Sequence, residues 1–255
     1  MASAGHPDWL RPDWDAPGVG ALMSTRAGGV SEGPFAAMNI RGGLGDDPLA
    51  VVRNQALFAS EIGARPVWLE QVHGKEVVHL SAEHLGRVPT ADASVCTEPG
   101  IACTVQVADC LPVLFAAPDG RGVGGAHAGW RGLSSGVLEA TMAALCDAAA
   151  CDPADLVAWL GPCIGPRRFE VGADVLAAFG ADASVAEQPF FVPHAPGKWM
   201  ADLAGLARQR LARAGLNRIS GGQWCTVEDA SRFFSFRRDR VTGRMVAAVW
   251  LDRRG

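Results

Sequence analysis

Apolar positions along the chain fall into short, Val-rich runs bounded by Gly, Pro and polar clusters. This pattern predicts strands over 20–24, 77–80, 93–96, 101–107, 112–116, 122–126, 156–160 and 245–251. A second pattern has helical spacing. The segment 47–62 opens with Asp46-Asp47-Pro48, a cap followed by an early proline. The segment 134–149 opens with Ser134-Ser135 and carries Val137, Leu138, Met142 and Leu145 on one face. A short helix is predicted over 173–179. Another spans 202–214, with Leu203, Leu206 and Leu211 on one side and arginines over the rest. Strands cluster and helices interrupt them irregularly, so the pattern favours α+β over strict βαβ alternation.

One run breaks its own pattern. TVQVADCLPVLF, Thr104 to Phe115, is apolar on both flanks but holds Asp109 and Cys110, with Pro112 just beyond. It reads as one strand arriving at a site and another leaving it, with Pro112 enforcing the break. Glycines and prolines also concentrate around polar residues, at TRAGGVSEGPF, HAGWRG and LGPCIGPRRFEVG. Such turns suit a site built on strand ends.

Composition narrows the function classes. The 255 residues are 49% apolar and 20% charged, enough for a self-sufficient core in one large domain or two small ones. A net charge of −4 with no basic stripe argues against a nucleic-acid partner. No apolar run is long enough to span a membrane, and the polar, Pro-rich start does not resemble a secretory leader. Seven scattered cysteines then read as free thiols in a reducing cytoplasm. With no Tyr in the chain, a tyrosine acid or base is excluded.

Three residues of metal-ligating type stand at predicted strand ends beside tight backbone: His73 in WLEQVHGKEVV, Cys110 in ADCLPVLF and His127 in GVGGAHAGWRG. Two His and one Cys suit a catalytic zinc, which keeps a fourth position open. Their separations match no short Cys-x-x-Cys spacing, so isolated core residues are the alternative. Asp109 reads as a carboxylate orienting a ligand, a general acid or base, or a turn residue. Arg26, Arg131, Arg237 and Arg238 lie beside Gly or strand-like segments and suit phosphate, with solvated surface charge as the alternative. GLSSG, Gly132 to Gly136, matches a nucleophile elbow but lacks a strand directly before it. Ser134 and Ser135 read more simply as helix caps. The zinc deaminase signature, a Walker loop and a complete Gly-x-Gly-x-x-Gly are absent, and six histidines are too few for a multicopper oxidase.

Taken together, STRAGGVSEGPFAAMN, WLEQVHGKEVV, ADCLPVLF, AHAGWRGLSSGVLEAT, WLGPCIGPRRFEVG and CTVEDASRFFSFRRDRVTGRMVAAVWL resemble the bacterial YfiH-type laccase-domain family. That family was named polyphenol oxidase and is described as a zinc-dependent purine nucleoside phosphorylase. The resemblance implies an α+β single domain, four-layer α/β/β/α with mixed β-sheets, over 19–255 behind a polar tail at 1–18. It implies Zn2+ on His73, Cys110 and His127, with copper the lesser alternative. Catalysis would involve Cys110, His73, His127 and Asp109. Arg26, Asn39, Gln71 and Arg131 are the candidates for substrate or phosphate contacts.

The implied substrates are purine nucleosides (adenosine, inosine, methylthioadenosine) with phosphate, together with adenosine deamination, in a monomer or homodimer. A cysteine amidase editing peptidoglycan precursors is the other enzyme reading, and a non-catalytic binding module the reading from another class. The chain departs from the family pattern where a His often precedes Val-Gly-Asp-Asp and Gly43 stands here, in GGLGDDP. It departs again at Phe236, usually Tyr, and near Gln106, where Thr is common before Ala-Asp-Cys. These departures bear on substrate detail rather than on the ligand trio.

Overall fold

The computed structural model describes residue 6, residues 8–181 and residues 188–252. Two mixed sheets stack face to face, with helices outside both. The first sheet contains β1 (Val19–Met23), β2 (Arg65–Val67), β5 (Ile101–Val107) and β13 (Met245–Leu251), in the order β1-β13-β5-β2. The second contains β3 (Val77–Leu80), β4 (Ala93–Cys96), β6 (Leu111–Ala116), β7 (Val123–Ala128), β8 (Val157–Leu160) and β12 (Arg218–Gly221), in the order β12-β8-β6-β7-β4-β3. A small antiparallel sheet joins β9 (Glu170–Gly172), β10 (Phe191–Pro193) and β11 (Lys198–Ala201). The helices are α1 (Pro48–Ile62), α2 (Trp130–Ser135), α3 (Val137–Ala149), α4 (Ala173–Ala178), α5 (Leu203–Arg213) and α6 (Phe236–Asp239).

The layers follow from which faces are apolar. Strands β5, β6, β7 and β13 are buried along their whole length, which is why they read as unbroken apolar runs. Val105, Val107, Leu114, Val123, Met245 and Ala247 fill the seam between the two sheets. Phe58 and Ile62 of α1 cover the outer face of the first sheet over Val246 and Ala248. Val137, Leu138, Met142 and Leu145 of α3 cover the second over Ala93, Val95 and Ala126. The chain is thus the four-layer α/β/β/α domain expected. Glycine at 125 sets the inter-sheet distance there, because a Cβ would stand 3.1 Å from Val105 Cγ2.

Four sequence expectations change. The break after β5 is not made by Pro112, which pairs inside β6 opposite His127 and accepts from Gly161 N. It is made at Asp109, whose φ is 95°, a left-handed value uncommon outside glycine. The helix expected over 134–149 is two helices divided at Gly136, φ 100°, and the first begins at Trp130. Ser134 and Ser135 therefore end a helix rather than cap one; their hydroxyls donate to Arg131 O and Gly132 O. Part of the segment expected as a polar tail is also packed. Trp9 is buried against Phe58, and Leu10 exchanges backbone bonds with Met23. Strands β2, β9, β10, β11 and β12, short and partly exposed, carry too few apolar residues for the pattern to reveal them.

Candidate metal centre

His73, Cys110 and His127 converge although they come from three separate places in the chain. His73 lies between β2 of the first sheet and β3 of the second. Cys110 ends the three-residue link from β5 to β6, again from the first sheet to the second. His127 is on β7, opposite Pro112. Two of the three donors thus sit where the chain crosses between sheets. The donor atoms all lie within 4.8 Å of one another, with Cys110 Sγ 3.8 Å from His73 Nε2. The two imidazoles meet edge-on with centroids 4.8 Å apart.

Both crossings use strained backbone. His73 has φ 62° and Asp109 φ 95°, conformations that non-glycine residues hold only where surroundings over-determine them. Asp92, fully buried at the start of β4, does this for His73. Its Oδ1 accepts from His73 N at 2.9 Å, and its Oδ2 accepts from Gly74 N at 2.7 Å and Val72 N at 3.0 Å. The same Oδ1 lies 2.8 Å from His127 Nδ1. One carboxylate therefore shapes the His73 turn and accepts a hydrogen bond from His127 Nδ1–H, leaving Nε2 to face Cys110. Asp109 is anchored differently. Its Oδ1 accepts from Thr226 Oγ1 and its Oδ2 from Arg237 N, each at 2.6 Å. It ties the crossing to the α6 turn. Gly129 completes the cradle, since a Cβ there would stand 2.9 Å from Cys110 Sγ and 3.0 Å from His73 Cδ2.

The electrostatics follow from this packing. Burial drives the Cys110 thiol up, but the neighbouring His127 and His73 outweigh it and bring the thiol down to about 6. Burial drives His127 down, but the Cys110 thiolate and Asp92 raise it to about 9. Burial also raises Asp92, yet His127 and the turn amides hold its carboxyl below the usual range. Without metal, the group rests as a thiolate beside an imidazolium. The donors also fit a metal: tetrahedral zinc with Zn–N near 2.0–2.1 Å and Zn–S near 2.3 Å places donors roughly 3.3–3.8 Å apart. With two nitrogens and one sulfur the expected separations are about 3.3–3.6 Å, so the Cys110–His73 pair need close by only about 0.2 Å and no pair by more than about 1.5 Å.

Two clefts open on either side of Cys110 and His73, with Phe236 lining both. One, of about 300 Å3, is walled by Trp130, Phe169, Ile164 and Leu203 and includes Arg131, Arg237 and Asp109. The other, of about 410 Å3, is walled by Arg41, Arg244, Gln71, Gln106 and His127. A larger cleft of about 600 Å3 around Arg208 and Trp224 contains none of the three donors, so volume is a poorer guide than chemistry here.

The residues expected to contact substrate divide. Arg131 stands in the first cleft, its guanidinium 4.3 Å over Trp130. Gln71 lines the second, but both ends of its amide are spent on the backbone of Gln106. Asn39 is fully buried and bonds Arg41 and Arg244 backbone. Arg26 lies outside both clefts, donating to Ala36 O and Ala230 O over Phe234. Arg237 lines the aromatic cleft, whereas Arg238 spends its guanidinium on Thr226 O, Phe233 O and Asp239. The sequence reading missed Asp92, Arg41 and Arg244. The available signal for Asp92 was an acid immediately before an apolar strand, in TADASV.

An α/β/β/α domain with a His-Cys-His group open to two clefts defines a candidate metal-dependent enzyme of small molecules. Residues 20–252 match the multi-copper polyphenol oxidoreductase laccase family, and the chain belongs to that family. It is 47% identical over 245 residues to a Pseudomonas aeruginosa protein named purine nucleoside phosphorylase, covering 96% of this chain and 98% of that one. It is 48% identical over 243 residues to the Escherichia coli purine nucleoside phosphorylase YfiH, covering 94% and 97%. Among solved structures, Neisseria meningitidis NMB0706 superposes with a TM-score of 0.89 at 44% identity over 96% of this chain and 100% of that one. Geobacillus stearothermophilus YlmD gives 0.89 at 32% identity over 96% of each. No helix among the described residues is long and apolar enough to cross a membrane.

Proposed function

We propose that this site catalyses phosphorolysis of purine nucleosides, with His73, Cys110 and His127 holding a zinc ion. The observation that carries the reading is the position of the three donors, at the joint between two clefts: an aromatic one that also holds Arg131, Arg237 and Arg240, and a cationic one lined by Arg41 and Arg244. The names of the relatives support the same reaction class. Two imidazoles and a thiolate with an open fourth position suit a catalytic zinc, and a multicopper set would call for more histidines. A bound ion supplies a positive charge at its open position, where developing negative charge is stabilised.

The chain's own residues account for binding and orientation. The faces of Trp130, Phe169 and Phe236 suit a flat base. The anomeric carbon–nitrogen bond breaks with its electron pair leaving on the purine, and a phosphate oxygen bonds that carbon. The proton of monohydrogen phosphate balances the one gained by the purine. The sugar passes through oxocarbenium character, as in glycoside hydrolysis. Asp109, already accepting two short hydrogen bonds, holds the wall in place rather than carrying the proton.

Adenosine or inosine with phosphate is expected to yield free base and ribose 1-phosphate, and the Cys110→Ala protein is expected to yield neither. Full activity in that variant, or protein purified without stoichiometric metal, sinks the reading. Deamination of adenosine, in which a water attacks C6 of the base and ammonia leaves, belongs to the same proposal, and inosine release checks it. A second reading, a cysteine amidase on a peptidoglycan precursor, is favoured by the Asp92–His127–Cys110 alignment alone. Turnover of a muramoyl-linked L-Ser substrate by zinc-free protein would select it.

A further inference from the structure

The cationic cleft contains a pair of guanidiniums that the sequence did not suggest. Arg41 precedes α1 and Arg244 precedes β13, yet a single side chain positions both. Asn39 Oδ1 accepts from Arg41 N at 3.2 Å and from Arg244 N at 2.9 Å, and Asn39 Nδ2 donates to Arg41 O at 3.1 Å. Asn39 is itself fully buried and further fixed by Asp46 at 2.8 Å. The bracing is rigid enough to hold two like charges in one cleft. Burial and the like charge of Arg41 push the Arg244 guanidinium down from its ordinary value, against the opposing pull of Cys110 and Asp109. Glu70 meets only Arg41, at 2.8 Å, and is half exposed at the rim. Arg244 spends one nitrogen on Thr242 O and Gly243 O and rests 5.8 Å from the Phe236 centroid.

Gln71 and Gln106 line the same cleft and are pinned to each other, the Gln71 amide accepting from Gln106 N at 2.8 Å and donating to Gln106 O at 2.9 Å. Two forked guanidiniums in one cleft beside His73 and Cys110 suit a tetrahedral oxyanion.

We propose that Arg41 and Arg244, braced by Asn39, form the subsite for inorganic phosphate. The purine nucleoside then occupies the aromatic cleft beyond Phe236. This rests on the phosphorylase reading and divides the site into an anion half and a base half.

The test is calorimetric titration of inorganic phosphate into zinc-loaded protein, alongside steady-state kinetics with inosine. Arg41→Gln and Arg244→Gln should each weaken phosphate binding and raise the phosphate KM by about 10- to 100-fold, as expected for a lost hydrogen bond to a charged group. Zinc content and inosine KM should not move. Arg131→Gln should do the reverse, raising the inosine KM and sparing phosphate. Arg41→Gln keeps the test valid should Arg244→Gln fail to fold. Unchanged phosphate affinity in Arg41→Gln, or a parent protein that binds no phosphate, overturns the subsite. A parent that binds phosphate through these arginines but turns over no nucleoside overturns the phosphorylase reading and leaves the subsite standing.

Discussion

Replacing Asp92 by Asn isolates the group that orients two of the three donors. In the parent, its carboxylate accepts from His127 Nδ1, His73 N, Gly74 N and Val72 N. An Asn keeps one oxygen and presents an NH2 to donors that need an acceptor. At least one turn amide or the His127 ring is then left without its partner. A hydrogen bond to a charged group contributes about 1.5–3 kcal/mol, so the metal-free variant should be less stable by about 3 kcal/mol. At about 2–4 °C per kcal/mol for a chain of this size, its midpoint should fall by about 6–12 °C.

Zinc affinity should fall about 10- to 100-fold, the range found when a carboxylate behind a ligand histidine is lost. Competition against a chromogenic chelator measures the affinity, and thermal unfolding with and without zinc measures the rest. The pH dependence has a definite sign. The carboxyl of Asp92 is lowered in the fold, so its contribution is complete above the ordinary carboxylate value and is lost as pH falls through the lower folded value. The gap between parent and variant should therefore hold through neutral pH and close only in acid, below about 4. Zinc affinity within about twofold of the parent, together with an unshifted midpoint, would refute the role given to Asp92.

Other outcomes test separate parts of the site. Gly129→Ala should keep the fold but weaken metal binding at least tenfold, because its Cβ would press on Cys110 Sγ and His73; a chelator titration reads it. In metal-free protein, iodoacetamide should modify Cys110 with a rate that climbs through pH about 6 rather than 9, and zinc should protect it. Thr226→Val should loosen Asp109 and the α6 turn, lowering kcat with metal content unchanged; unchanged kcat would remove Asp109 from the positioning scheme. Gly125→Ala should cost about 1–3 kcal/mol in chemical unfolding by forcing the sheets apart at Val105.

How far the sequence could be read depended on the range of the forces involved. Strands β5, β6, β7 and β13 were legible because burial on both faces leaves an unbroken apolar run. The ligand trio was legible because each member interrupts or ends such a run. Asp92 was not, since its partners are backbone amides some twenty residues away, and amides carry no signature in the chain. Arg41 and Arg244 were obscured for a related reason: Asn39, which joins them, resembles any loop asparagine until Arg244 arrives 205 residues later. Arg26 misled because a guanidinium beside glycines suits carbonyl oxygens as well as it suits phosphate.

The two crossings at His73 and Cys110 also bear on how long the protein lasts. A metal bound there bridges chain segments that enter different sheets, so it engages fully only after the two sheets have come together. Interactions that form late in folding slow unfolding far more than they speed refolding. Metal loading should thus lengthen the lifetime of the folded chain against proteases and heat, even where it leaves the refolding rate untouched. An ion bound there would then serve as a clasp, and its loss would leave a durable fold prone to rapid clearance.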